Sequence, residues 1–273
     1  ALDANTTGTY GVAIGYSALG ANTTADGNTA VGYNVLGANT TGASNLGLGK
    51  DALAANTTGA ANVAVGALAL DANTTAGNNT AVGQGSLTDN TTGANNTALG
   101  RQALTANTTA ADNVGVGYSA LVSNTTGHSN TGIGKSALAA NTTGISNVAV
   151  GYLAADAQAG NANYNVAIGA EALSTNTLGS QNVAIGRSAL LNFNVTSAAA
   201  TYNVAIGDQA GISVTTGVQN TLIGGRAGDS LTTGKQNIAI GYLALGSDDV
   251  GQKTVAIGEG ALYSQNYASA TDS

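Results

Sequence analysis

The hydrophobic positions of the chain form a short pattern that recurs and ends each time in glycine. A bulky or β-branched residue, a small residue and a second aliphatic residue precede the glycine, as in Val12-Ala13-Ile14-Gly15. Side chains alternate between the two faces of a strand, so the two bulky residues share one face and the small residue occupies the other. A helix is disfavoured because glycine recurs in every unit. We expect one short β-strand before each glycine, with the bulky pair facing the interior.

The pattern repeats every 17 residues over nearly the whole chain. Two intervals are longer, with 18 residues from Gly151 to Gly169 and 21 residues from Gly186 to Gly207. A fixed period of this length is typical of proteins that stack one unit on the next. We therefore expect a single domain over residues 1–273, with regular coils over 1–151 and irregular coils with insertions over 152–273. The glycines that end the units are Gly15, Gly32, Gly49, Gly66, Gly83, Gly100, Gly117, Gly134, Gly151, Gly169, Gly186, Gly207, Gly224, Gly241 and Gly258.

The residues after each glycine predict a second, shorter strand. Two variable positions come first and hold nine of the 21 charged side chains (7 Lys or Arg and 14 Asp or Glu), so we expect them to face water. An Ala position and a Leu position follow, as in Ala18 and Leu19. We expect the Leu side chains to fill the interior together with the bulky strand residues. The small strand residue would then form a smooth outer surface that packs against another chain.

Asparagine recurs at two further positions of the unit. One asparagine opens an Asn-Thr-Thr turn, and the other stands four residues before the glycine. Asparagine in a turn hydrogen-bonds nearby backbone, and identical side chains stacked coil on coil can also bond one another. We expect two structural ladders. The first contains Asn22, Asn39, Asn56, Asn73, Asn90, Asn107, Asn124 and Asn141, and the second contains Asn28, Asn62, Asn96, Asn130 and Asn165.

Together these columns predict an all-β protein, a parallel β-solenoid of the β-roll type. Each 17-residue coil would contribute two short strands, and the chain would form about 15 coils. One unit carries too few apolar side chains to form a core alone, so stacked coils must bury one another. We expect glycine or asparagine at the corners, where the backbone needs a positive φ.

Composition and charge exclude several classes of function. The 273 residues include no Cys and a single His, so we expect neither an enzyme nor a cofactor or metal site. The net charge is −7 and basic residues do not cluster, which argues against a nucleic-acid partner. No apolar stretch approaches the roughly 20 residues of a spanning helix, so we expect no membrane insertion in this segment.

The candidate contact residues are those that break the repeat or stand exposed within it. The insertion after Gly186 contains the only Phe of the chain, and an exposed aromatic residue on a bulging loop is a candidate hot spot. The alternative is that Phe193 tucks back over the roll. Tyrosine also recurs in the slot directly after the glycine, where a surface ladder is the simpler alternative. The candidates are Asn192, Phe193, Asn194 and Tyr202 near the insertion, and Tyr16, Tyr33, Tyr118, Tyr152 and Tyr242 in the glycine-following slot. The Asn-Thr-Thr turns and Asn194-Val195-Thr196 also match the N-glycosylation sequon.

The strand motifs resemble the head repeats of YadA-like trimeric autotransporter adhesins. Val166-Ala167-Ile168-Gly169 and Val183-Ala184-Ile185-Gly186 are examples, mostly preceded by Asn and followed by a small-x-Ala element. The Asn-Thr-Ala-Val-Gly repeats with an Asn-Thr-Thr-Gly turn are similar to those of phage tail-fibre-like proteins. The resemblance covers almost the entire chain and implies a left-handed β-roll, a homotrimer and a role in surface attachment. The period of 17 departs from the 14 of the adhesin heads, and no heptad stalk or anchor segment is present.

These observations favour a rigid, rod-like shaft or head of an extracellular or virion fibre that attaches to a host or cell-surface receptor. Because the chain begins and ends within the repeat, we expect a segment of a longer protein, or coil ends that stack on neighbours. The second possibility leaves open a self-assembling filament subunit, a head-to-tail polymer. An ice-binding protein that uses the Thr ladder of the Asn-Thr-Thr turns is a further alternative.

Overall fold

The fold was analysed in a computed structural model that describes residues 1–266. The chain is all-β, without a helix in these residues, and forms a parallel β-solenoid of about 14 turns of roughly 17 residues. This architecture confirms the fold class predicted from the glycine period. Its described residues divide into two compact units, residues 1–130 and residues 131–266, which are described separately.

In the first unit, each coil contributes one strand of three residues to a parallel sheet. The strands pair in register, so that Val12 lies opposite Thr29 and Ile14 opposite Val31. The register places the same repeat position of each coil in one column. The strands are β1 (Val12–Ile14), β2 (Thr29–Val31), β3 (Leu46–Leu48), β4 (Val63–Val65), β5 (Thr80–Val82), β6 (Thr97–Leu99) and β7 (Val114–Val116).

The second unit continues the same pattern with ten strands. Eight of them form a parallel sheet, and β11 and β13 pair separately, Gly179 opposite Ala199. The extra pair lies where the coil after Gly186 is longer. The strands are β8 (Thr131–Ile133), β9 (Val148–Val150), β10 (Val166–Ile168), β11 (Gly179–Ser180), β12 (Val183–Ile185), β13 (Ala199–Ala200), β14 (Val204–Ile206), β15 (Thr221–Ile223), β16 (Ile238–Ile240) and β17 (Val255–Ile257).

The buried and exposed faces of the strands are the reverse of those predicted. From β2 onward the small central residue of each long strand is buried, whereas the bulky first and third residues are exposed or half-buried. The reason is lack of space inside the coil. A Cβ added at Gly115, the centre of β7, would lie 3.2 Å from Leu104 Cγ. The interior beside the Leu column therefore accepts only Ala or Gly, with Leu222 as the exception.

The second predicted strand is replaced by a turn. The Leu column lies inside, as expected, but its backbone is left-handed, with φ of 54° at Leu53 and 52° at Leu70. This conformation is incompatible with an extended strand. The turn still joins the coils, because the Leu53 N–H donates to Ala69 O at 3.0 Å and the Thr57 N–H donates to Thr74 O at 2.8 Å.

The glycine that ends each unit occupies a backbone conformation that only glycine adopts readily. Its φ is 134° at Gly66 and 136° at Gly83, outside the left-handed helical region that Leu53 uses. The coils also meet here at close range. A Cβ added at Gly66 would lie 2.6 Å from Gly83 O. Conformation and space together explain why this column contains glycine in every coil.

Candidate functional site

The Asn column of the Asn-Thr-Thr turn forms a buried ladder in the first unit. Asn56 is fully buried, and its Nδ2 donates to Asn39 Oδ1 at 2.8 Å and to Gly59 O at 3.0 Å. Asn73 Nδ2 in turn donates to Asn56 Oδ1 at 2.8 Å. Each side chain thus joins one coil to the next and also closes its own turn. Because Asn22 to Asn124 of this column are buried, their side chains are inaccessible to glycosylation in the folded chain, and Asn141 in the second unit is buried as well.

The second Asn column, four residues before the glycine, forms another buried ladder. The Asn62 backbone N–H donates to Asn45 Oδ1 at 2.9 Å, and Asn62 Nδ2 donates to Ala76 O at 2.9 Å. The same geometry recurs at Asn96, where the N–H donates to Asn79 Oδ1 at 2.9 Å. Buried polar groups require partners of this kind, so both columns hold the coils together and are not exposed as binding groups.

Phe193 was expected on a bulging loop, but the structure places it inside the coil. It stands seven residues after Gly186, the position that Asn fills in regular coils, and its side chain is fully buried. The ring packs closely against Gly179, because a Cβ added to Gly179 would lie 2.7 Å from Phe193 Cε1. Phe193 is therefore not exposed on a bulging loop but tucks back into the coil, because the extra residues of this coil follow Phe193. Asn192 and Asn194 beside it are exposed.

The tyrosines that follow the glycines are exposed. Tyr16 has 72% of its surface exposed, and its ring stacks on that of Tyr33 with centroids 5.5 Å apart and an angle of 11° between planes. Two other members of the slot lie beneath cations of the preceding coil. The Arg101 guanidinium lies 5.8 Å from the Tyr118 ring centre, and Lys135 Nζ lies 5.6 Å from the Tyr152 ring centre. Tyr242 of the same slot is exposed, and so is Tyr202, which follows Thr201 near the insertion. These side chains are exposed in each unit and are available for contacts.

The two threonines of each Asn-Thr-Thr turn have different roles. The first Thr donates its hydroxyl to the next coil, as Thr57 Oγ1 does to Thr74 O at 3.0 Å. The second Thr is exposed, as at Thr58 and Thr75. From Asn22 onward in the first unit, the second Thr of each turn is therefore exposed and the first is half-buried.

An exposed apolar surface lies on the sheet of each unit. We define the aliphatic face as the first and third residues of the three-residue strands. These positions contain Val, Ile, Leu or Thr and no charged residue. In the first unit the most exposed members include Val12, Ile14, Leu46, Leu48 and Leu99. Sequence reasoning identified the two columns but assigned them to the interior. The small size of the central residue was the signal that could have corrected the assignment.

Two carboxyl groups of the first unit have shifted pKa values of opposite sign. Burial raises the pKa of Asp71 above its usual value, with smaller contributions from the charges of Asp89 and Asp51. The Thr9 N–H and then the Thr9 hydroxyl, both bonded to Asp26 Oδ1, lower the pKa of Asp26. A raised pKa in the folded state favours folding at low pH, and this contribution is lost as the pH rises; a lowered pKa does the reverse.

We therefore expect Asp71→Asn to raise the free energy of unfolding at pH 7 and to lose this advantage below the ordinary pKa of 3.8. Asp26→Asn is the matched comparison, and it should lower stability at pH 7. Urea unfolding at pH 7 and pH 3 measures both. Equal stability changes of the two variants at pH 7 would contradict the assigned origins of the shifts.

The described residues offer little chemistry besides these surfaces. Among residues 1–266 there is no group of three or more His, Asp or Glu arranged to hold a metal ion, and no helix long and apolar enough to cross a membrane. The comparisons with known proteins add no constraint, because the chain matches neither a protein-family model nor a curated protein. The aliphatic face, the exposed tyrosines and the exposed threonines are the candidate surfaces for contacts.

Proposed function

We propose that the chain is a structural, adhesive fibre protein whose copies associate through the aliphatic face. The observation that carries the proposal is the exposure of two aliphatic columns, free of charge, on the sheet of each unit. Contiguous exposed apolar surfaces are typical of association sites. Removing them from water contributes about 25 cal/mol per Å² of apolar area.

A second copy of the same chain is the occupant that this face fits best. Its bulky residues recur once per coil, so a complementary surface must have the same spacing. Another copy of the chain supplies that spacing in every coil. Cyclic symmetry closes such an interface without leaving an unpaired copy. We propose a homotrimer, with the number of copies taken from the resemblance to the adhesin heads.

The proposed role is mechanical. A stack of coils joined by backbone and Asn hydrogen bonds resists local opening, and it can hold a recognition feature away from a surface. Exposed side chains such as Tyr16 and Tyr33 are available for receptor contacts on such a fibre. We place the protein outside the cell, on a cell surface or on a virion, as the shaft or head of the fibre.

Charged substitutions on the aliphatic face test the association. We expect Leu48→Lys combined with Leu99→Lys to reduce the native mass to that of one chain, because two lysines would have to be buried without partners. Light scattering measures the mass, and circular dichroism verifies the fold. Ala67→Lys is the control, since it places lysine in the slot that Lys50 occupies naturally. An unchanged mass of the double variant would overturn this interface.

A further inference from the structure

One coil of the first unit lacks a side chain that its neighbours carry. Gly85 occupies the second position after Gly83, where the adjacent coils have Leu68 and Gln102. All three residues have the same left-handed backbone, with φ of 65°, 60° and 59° for Gly85, Leu68 and Gln102. The backbone here therefore accepts a side chain, and the effect of glycine is to open space between Leu68 and Gln102.

The missing side chain leaves a notch in the surface. The notch has a volume of about 240 Å³ and is lined around Gly85 by Leu68, Gln84, Thr88, Arg101, Gln102 and Thr105. This volume lies somewhat below the range of about 300–1,000 Å³ for drug-sized ligands, so it suits one small unit of a larger molecule.

The two threonines of the notch present oxygen atoms as hydrogen-bond acceptors. Thr105 Oγ1 donates to Gln102 O at 2.9 Å, and Thr88 Oγ1 donates to Leu68 O at 3.3 Å. With their hydrogens directed to the backbone, the hydroxyl oxygens can accept hydrogen bonds from a ligand. The amides of Gln84 and Gln102 can donate and accept. These groups match a molecule with several hydroxyl groups.

Arg101 gives the notch its charge preference. Its guanidinium lies over the Tyr118 ring and forms no ion pair among the described residues, whereas Lys50 lies 3.5 Å from the Asp51 carboxylate. A guanidinium presents paired N–H donors that fit a carboxylate. The cation is therefore available for an acidic ligand at the edge of a site that is otherwise suited to hydroxyl groups.

We propose that the notch at Gly85 binds an acidic sugar residue, a uronic acid within a surface polysaccharide. Arg101 pairs with the sugar carboxylate, and Gln84, Gln102, Thr88 and Thr105 bond its hydroxyl groups. Leu68 supplies an apolar contact for the ring. This inference rests on the proposed attachment function and names the class of surface that the fibre would recognise.

Binding of a galacturonic acid trimer, measured by calorimetry on the full chain, tests the proposal. The wild-type protein should bind this probe and should bind a galactose trimer at least tenfold more weakly. Gly85→Gln fills the notch with the side chain of the next coil, and Arg101→Gln removes the cation; each should reduce affinity at least tenfold. Ser119→Gln, a matched change in the same column outside the notch, should leave affinity unchanged.

The outcomes separate this site from the fibre proposal. Wild-type protein that fails to bind, equal affinity for the neutral trimer, or a Gly85→Gln protein that binds normally would each overturn the acidic-sugar site. The native mass of the Gly85→Gln, Arg101→Gln and Ser119→Gln variants is measured in parallel and should equal that of the wild type. The monomeric Leu48→Lys, Leu99→Lys protein should still bind the probe, because the notch is contained within one chain.

Discussion

Replacing Gly66 with alanine is expected to lower the free energy of unfolding by about 3 kcal/mol or more, because two costs coincide. The φ of 134° is sparsely accessible to residues with a side chain. The new methyl carbon would also lie 2.6 Å from Gly83 O, a backbone atom fixed by the next coil. Neither the residue nor its neighbour can shift without disturbing the coil-to-coil hydrogen bonds, such as Gly66 N–H to Leu48 O at 2.8 Å.

Urea unfolding monitored by circular dichroism measures this loss. Gly20→Ala is the control, because Gly20 has no left-handed backbone, the nearest atom to its added Cβ is 3.4 Å away, and Ala54 fills the same position two coils later. We expect the control to change stability by no more than about 0.5 kcal/mol. Similar stability of the two variants would contradict the explanation of the glycine column.

Replacing Asn73 with alanine is expected to destabilise the fold by about 3 kcal/mol, because one side chain satisfies three buried partners. Asn73 Nδ2 donates to Asn56 Oδ1 at 2.8 Å and to Ala76 O at 3.0 Å. Its Oδ1 accepts from Asn90 Nδ2 at 3.1 Å. Each group left without a partner in a buried position costs about 1–3 kcal/mol.

Thermal and urea unfolding of Asn73→Ala should be compared with Thr75→Ala, an exposed change two residues away. The control should lie within about 0.5 kcal/mol of the wild type. If Asn73→Ala were as stable as the control, the Asn ladder would not contribute to stability, and its recurrence would need another explanation.

The fold could be predicted because the repeat places equal residues in register. The glycine period alone fixes a stack of parallel strands, and both Asn columns follow from it. The buried face of each strand could not be predicted from alternation. Alternation shows that Val12 and Ile14 share a face but not whether that face is inside. The small size of the central residue was the sequence signal for the buried face, because the space beside Leu104 and its equivalents is narrow in the folded coil.

The candidate site was predictable only in part. The exposed tyrosines follow from their slot after the glycine, next to the charged residues. Phe193 could have been placed correctly by counting seven residues from Gly186, as Asn22 stands seven residues from Gly15. The notch at Gly85 has no sequence signal of its own, because its lining residues come from three coils and meet only after the coils stack.

The association of copies is the central claim, and the native mass of the wild-type chain tests it most directly. Light scattering should be carried out over a range of concentrations. The proposed trimer predicts a constant mass about three times 26.2 kDa. A mass that increases steadily with concentration would indicate an open polymer and would contradict the closed trimer. A mass of one chain at every concentration would contradict the claim that the aliphatic face joins copies of the protein.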